Sequence, residues 1–73
     1  MLVKFEVYND GEYWFARGIG VDIFTQGKTL DELMRNVRKA VELHFDVLSA
    51  GEHIQILSIF EFEVPSLGKA ANS

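Results

Sequence analysis

The acidic residues Asp10, Asp22, Glu61 and Glu63 are the first candidates for chemistry. Carboxylates that converge on two Mg²⁺ ions can clamp the attacking and leaving oxygens of a phosphodiester. Asp22 and Glu61 could share the outer face of a sheet. Asp10 belongs to a turn, however, and no third or fourth acid stands on a central strand beside them. The four acids therefore read as solvated strand and turn residues, and a metal-dependent nuclease is the weakest functional reading. The two histidines, His44 and His53, are too few for a metal site unless carboxylates join them. His44 sits at the edge of a helical apolar stripe, which suits a boundary residue that packs its ring and keeps one nitrogen wet. His53 opens the last strand. Ser58 lies on that strand with no base or orienting group signalled near it, and a serine nucleophile needs both. The chain has no Cys, which removes a disulfide framework, a thiolate nucleophile and a zinc site built on sulfur. Gly18-Ile19-Gly20 is not followed by a helix at the spacing a phosphate loop requires, so it reads as a turn or bulge. No catalytic residue, metal site or cofactor is expected, and the chain is not expected to be an enzyme.

Composition narrows the partners. Of 73 residues, 7 are Lys or Arg and 11 are Asp or Glu, for a net charge of −4. An acidic chain is a poor match for a phosphate backbone, which calls for a basic surface. Arg35, Arg38 and Lys39 form a short basic band on the helix, the pattern of a solvated face. Aromatic residues on a sheet can stack bases, but only with basic residues around them, and only Arg17 is near the aromatic strand. Direct DNA binding is not expected. With 48% hydrophobic residues the chain can form a core. No apolar run approaches the roughly 18 residues that a membrane span needs, and Lys4 and Glu6 interrupt what would be a signal-peptide core. A cytoplasmic location is the expectation. Below about 70–80 residues one core rarely supplies more than roughly 3–5 kcal/mol, so small domains often rely on a disulfide, a metal or a second chain. With the first two set aside, very regular packing or association with another chain remains, and the aromatic content of 12% favours association.

The elements follow from periodicity. Residues 2–8 alternate, with Val3, Phe5 and Val7 on one face and Lys4, Glu6 and Tyr8 on the other, as a half-buried strand should. Asn9-Asp10-Gly11 is a hairpin signal. The second strand is predicted over 12–17, with Tyr13 and Phe15 on one face and Trp14 and Ala16 on the other. A turn at 18–20 leads to a third strand over 21–25, and Gln26-Gly27-Lys28 is read as the turn out of it. Thr29 and Glu32 form a capping box, in which Thr29 accepts from the Glu32 amide and the Glu32 carboxylate returns to the amide of Thr29. Leu30, Leu33, Met34, Val37, Ala40, Val41, Phe45 and Leu48 then form one apolar stripe, and Gly51 is the expected terminator. The last strand is predicted over about 53–64. Ile54, Ile56, Ser58, Phe60, Phe62 and Val64 lie on one face, and Leu57 and Ile59 lie on the other. The fold class is α+β, β-β-β-α-β, with an antiparallel sheet, the last strand beside the first, and one helix on one face. Residues 1–64 make the domain, and residues 65–73 read as a flexible tail.

From Tyr13 to Phe45 the sequence resembles the HicB-like antitoxin family. The likeness rests on the aromatic strand after the Asp10-Gly11 turn and on Thr25-Gln26-Gly27-Lys28-Thr29-Leu30-Asp31-Glu32, followed by a helix of this length. The resemblance implies a β-β-β-α-β domain with partial similarity to ribonuclease H. It implies an antitoxin role: neutralising a small toxin RNase. Two departures stand out. A Pro-Gly-Cys-like turn is missing at Ile19-Gly20-Val21-Asp22, and no helix-turn-helix or ribbon-helix-helix segment follows Val64. Operator binding is therefore not carried over.

A sheet covered by one helix has one wet face, yet Leu57 and Ile59 occupy that face. Together with Trp14 they are the expected partner interface. The leading expectation is a HicB-like protein-interaction domain that binds and blocks a small basic toxin RNase. The alternative is a homodimer or higher homo-oligomer of unassigned role with no toxin partner.

Overall fold

The computed structural model describes residues 1–46 and 53–65. Strand β1 spans Leu2–Asn9, β2 Trp14–Ile19, β3 Phe24–Gly27 and β4 Gln55–Glu61, and helix α1 spans Leu30–Phe45. The four strands form one sheet in the order β3-β2-β1-β4. β1–β2 and β2–β3 pair antiparallel, as two short connections require. β4 pairs with β1, the expected neighbour, but runs parallel to it. The antiparallel sheet is thus corrected to a mixed one. The reason is a count of directions: β1 and β3 run one way, α1 returns the chain, and β4 sets out again in the direction of β1. Parallel neighbours need a long crossover, and the helix supplies it. The pairing begins where the Gln55 amide donates to the Met1 carbonyl at 2.9 Å.

The first hairpin is held by side chains of the turn itself. Asn9 Oδ1 accepts from the Gly11 amide at 2.7 Å, and Asp10 Oδ1 accepts from the amides of Glu12 and Tyr13 at 2.9 and 2.7 Å. β2 then runs through Ile19, so the turn expected at 18–20 falls later. Gly20 takes the left-handed conformation there, at φ 79°. β3 consequently occupies 24–27 rather than 21–25, and Gln26 and Gly27 are strand residues, not turn residues. Gly27 is required by proximity. A Cβ there would lie 2.6 Å from the Leu33 amide nitrogen and 3.1 Å from the Glu32 carbonyl carbon.

Thr29 caps α1 as expected, its Oγ1 accepting from the Glu32 amide at 3.1 Å. The Glu32 carboxylate does not return to Thr29. It accepts from the Lys28 amide at 2.6 Å, one residue earlier. Asp31 and Glu32 lie in the first turn, where the helix dipole favours negative charge. α1 ends at Asp46, whose left-handed backbone (φ 50°) lets its amide donate to the Glu42 carbonyl. The helix therefore stops before Leu48 and Gly51, which lie outside the described residues, as does the segment 66–73.

Val3, Phe5 and Val7 of β1, Ala16 of β2, Ile23, and Leu33, Val37 and Val41 of α1 form the buried core. Leu30, Met34, Ala40 and Phe45 flank it from the helix, completing the apolar stripe. α1 contacts β2 and β3, and Asn36 Nδ2 pins it to the sheet by donating to the Gln26 carbonyl at 2.8 Å. Among the described residues no helix is long and apolar enough to cross a membrane.

Candidate functional site: the uncovered face and edge of the sheet

The pairing registers assign every strand residue to a face. Val3, Val7 and Ala16 lie on the helix side. Their neighbours Lys4, Glu6, Tyr8, Phe15, Arg17 and Ile19 lie on the opposite side, which the described residues leave open. One row across that face is Phe24–Arg17–Glu6–Ile59. The next is Gln26–Phe15–Tyr8–Glu61, and a third joins Ile19, Lys4 and Leu57. The face thus carries Lys4, Glu6 and Arg17 at its centre, between the rings of β2 and β3 and the apolar Leu57 and Ile59 of β4.

Aromatic rings dominate one end of the face. Tyr8 stacks on Phe15 with ring centroids 5.3 Å apart, and Phe15 stacks on Phe24 at 5.7 Å. Tyr13 tilts against Phe15 at 6.5 Å. Stacked rings at these spacings contribute beyond their buried area. Beside them Arg17 forms an ion pair with Glu6. The hydrogen bond and charge of Glu6 raise the Arg17 pKa further above its ordinary value.

β4 stands outboard of the helix. Ile56, Ser58 and Phe60 share the helix-side face with Val3, Phe5 and Val7 by register. α1 does not reach them, so both faces of the strand are open: Ile56 is 38% exposed and Phe60 50%, against 44% for Leu57 and 47% for Ile59. Ile54 alone, just before the strand, packs partly against the core.

Of the three expected interface residues, the structure brings two together. Leu57 and Ile59 lie on the uncovered face. Trp14 does not join them: it shares the helix side with Ala16 and packs, half-buried, against the core. Its partner in β1 is Asn9, at the far end of the sheet. The aromatic residues that do share the open face are Tyr8, Phe15 and Phe24. Alternation in the sequence separates these residues from their neighbours but does not group them. The signal lies in Ala16, a small residue suited to a position beneath a helix, which sends Phe15 outward and Trp14 inward.

The acids do not converge. Asp22 sits in the β2–β3 connection, beyond Phe24 at one end of the sheet, while Glu61 ends β4 at the other. Asp10 is occupied by the hairpin amides; those of Tyr13 and then Glu12 hold its pKa below the ordinary carboxylate value. Among the described residues no group of three or more His, Asp or Glu is placed to hold a metal ion. His44 is exposed, with its ring edge-on to Phe45 at 4.7 Å. In comparisons with known proteins, no family model, curated protein or solved structure matches this chain.

Proposed function

We propose that the chain is an antitoxin-type protein-interaction domain, HicB-like in kind, that docks a small basic RNase on the open face of its sheet and blocks it. The observation that carries this reading is the set of stacked rings, half-buried Tyr8 and Phe15 and exposed Phe24, on the same face as the exposed Ile59 and Leu57. Exposed apolar residues rimmed by charges mark interaction sites, and aromatic side chains are enriched at protein interfaces. Charge supports the choice of partner. An RNase must be basic where it holds phosphates, and a chain of net charge −4 competes for that same surface. Complementary charge also speeds encounter. Glu61 and Glu63 at the end of β4 are exposed acids suited to the rim of such an interface. The mechanism is occlusion, with no bond made or broken.

The test is co-expression with the product of the adjacent reading frame. The reading expects a small basic protein to co-purify in a fixed ratio and its RNase activity to be inhibited. If the neighbouring product is neither basic nor retained, the antitoxin reading fails. A second reading, a homo-oligomer without a toxin partner, is favoured by the two open apolar faces of β4.

A further inference from the structure

We propose that β4 is the seam of a two-fold homodimer, in which it pairs antiparallel with β4 of a second copy about Ser58. The proposal deepens the homo-oligomer reading and rests on it. In the parallel ladder the Gln55 amide donates to the Met1 carbonyl. The odd-numbered residues of β4 therefore turn their peptide groups toward β1. Ile56, Ser58 and Phe60 turn theirs toward the outer edge of the sheet, where no described strand pairs with them. Natural edge strands are usually guarded by lysine, proline, a bulge or a covering segment. Gln55-Ile56-Leu57-Ser58-Ile59-Phe60-Glu61 carries no lysine or proline, and its apolar side chains are exposed on both faces.

The occupant is identified by the strand's own pattern, which reads the same in polarity from either end. Pairing about Ser58 places Ile56 opposite the partner subunit's Phe60, and Leu57 opposite the partner subunit's Ile59. Gln55 meets the partner subunit's Glu61. Continuing outward, Ile54 meets the partner subunit's Phe62, and His53 meets the partner subunit's Glu63. Every apolar residue then faces an apolar one, and each acid faces an amide or an imidazole. Neighbouring two-fold registers lose this match: centred on Leu57, Gln55 would face Ile59, and centred on Ile59, Leu57 would face Glu61. Registers of opposite parity would put the two faces out of step. Backbone hydrogen bonds supply affinity in such strand addition, and an isologous two-fold is the commonest way for a chain to meet its copy.

Ser58 carries the test. At the centre of this register the two Ser58 residues form a hydrogen-bonded pair with Cα atoms about 5.5 Å apart, inside the roughly 4.4–6.8 Å range that a disulfide spans. The chain has no thiol of its own to compete. The Ser58→Cys variant, with the circular dichroism of the wild type, is expected to be quantitatively cross-linked by mild oxidation at concentrations where the wild type is dimeric. In parallel, His53→Glu should raise the dimer dissociation constant roughly fivefold, since two exposed like-charge contacts replace two attractive ones, and His53→Glu with Glu63→Lys should restore it. A dimer in which Ser58→Cys gives no cross-link and the charge exchange has no effect overturns the β4 register while leaving the homo-oligomer reading intact. A chain that sediments as a monomer even at the highest soluble concentration overturns both.

Discussion

Substituting Gly27 by Ala tests the closest approach between sheet and helix. Gly27 is a buried residue of β3 without a positive φ, so alanine fits its local backbone. Taken alone, the smaller entropy of the unfolded chain would stabilise Gly27→Ala by about 0.4–1 kcal/mol. Against this stands the new methyl group, 2.6 Å from the Leu33 nitrogen and 3.0 Å from its Cα. These are backbone atoms of the first helical turn, held by the Thr29 cap and by Leu33, which is fully buried. They cannot yield as a flexible side chain would. Overpacking of this kind costs about 1–3 kcal/mol, so the clash wins and a net loss of about 1–2 kcal/mol is expected. For a domain of this size that corresponds to a fall in Tm of roughly 4–15 °C. Thermal and urea unfolding followed by circular dichroism measure it. Gly11→Ala is the control: φ is +100° but nothing lies within 4 Å of the added methyl, so backbone strain of about 1–2 kcal/mol opposes the same entropic gain with no overpacking. If Gly27→Ala unfolds at or above the wild-type temperature, β3 and α1 do not meet as described and the placement of the helix over the sheet is wrong.

Three further substitutions probe other links. Thr29→Ala removes the acceptor for the Glu32 amide and should cost about 1 kcal/mol in urea unfolding. Asn36→Ala frees the Gln26 carbonyl from the helix and should cost about 0.5–1.5 kcal/mol, with earlier amide exchange in β3 than in β1. Asp10 is held below its ordinary pKa by the Tyr13 and Glu12 amides. Its ionised form therefore favours the folded state: the contribution is present above about pH 4, the ordinary carboxylate value, and is lost as pH falls through the lowered folded value. Asp10→Asn keeps an oxygen acceptor without the charge, so the drop in urea midpoint on acidification from neutral pH should be smaller in the variant than in the wild type.

Much of this fold is legible in the sequence because its strongest signals are local. The alternation of Val3, Phe5 and Val7, the Asp10-Gly11 turn and the Thr29 cap each depend on neighbours within a few residues, and each stands where periodicity puts it. The misplacements have different causes, some of them backbone approaches that composition does not show. Gly18 and Gly27 read as turn residues because glycine favours turns. In the structure they are glycines where another part of the backbone approaches too closely for a side chain. Helix termination at Asp46 uses a non-glycine left-handed residue, which composition does not announce. The parallel course of β4 follows from counting strand directions rather than from any residue. Trp14 illustrates the limit of pattern alone. Alternation separates Trp14 and Ala16 from Tyr13 and Phe15, but only the pairing register relates the faces of β2 to those of β4. Pattern alone therefore groups Leu57 and Ile59 with an aromatic of the opposite face, and the Tyr8–Phe15–Phe24 stack emerges only from the three-dimensional arrangement.

The proposed role depends on the open face of the sheet, and titration calorimetry against the purified basic product of the adjacent reading frame tests it most directly. The account predicts saturable binding with inhibition of that protein's RNase activity. It further predicts at least a tenfold loss of affinity in Phe15→Ala, the ring at the centre of the stack, about the 1.4 kcal/mol that marks an interface anchor, with Trp14→Phe on the opposite face binding as the wild type does. Absence of binding, or binding that Phe15→Ala leaves unchanged while Trp14→Phe abolishes it, would contradict the account.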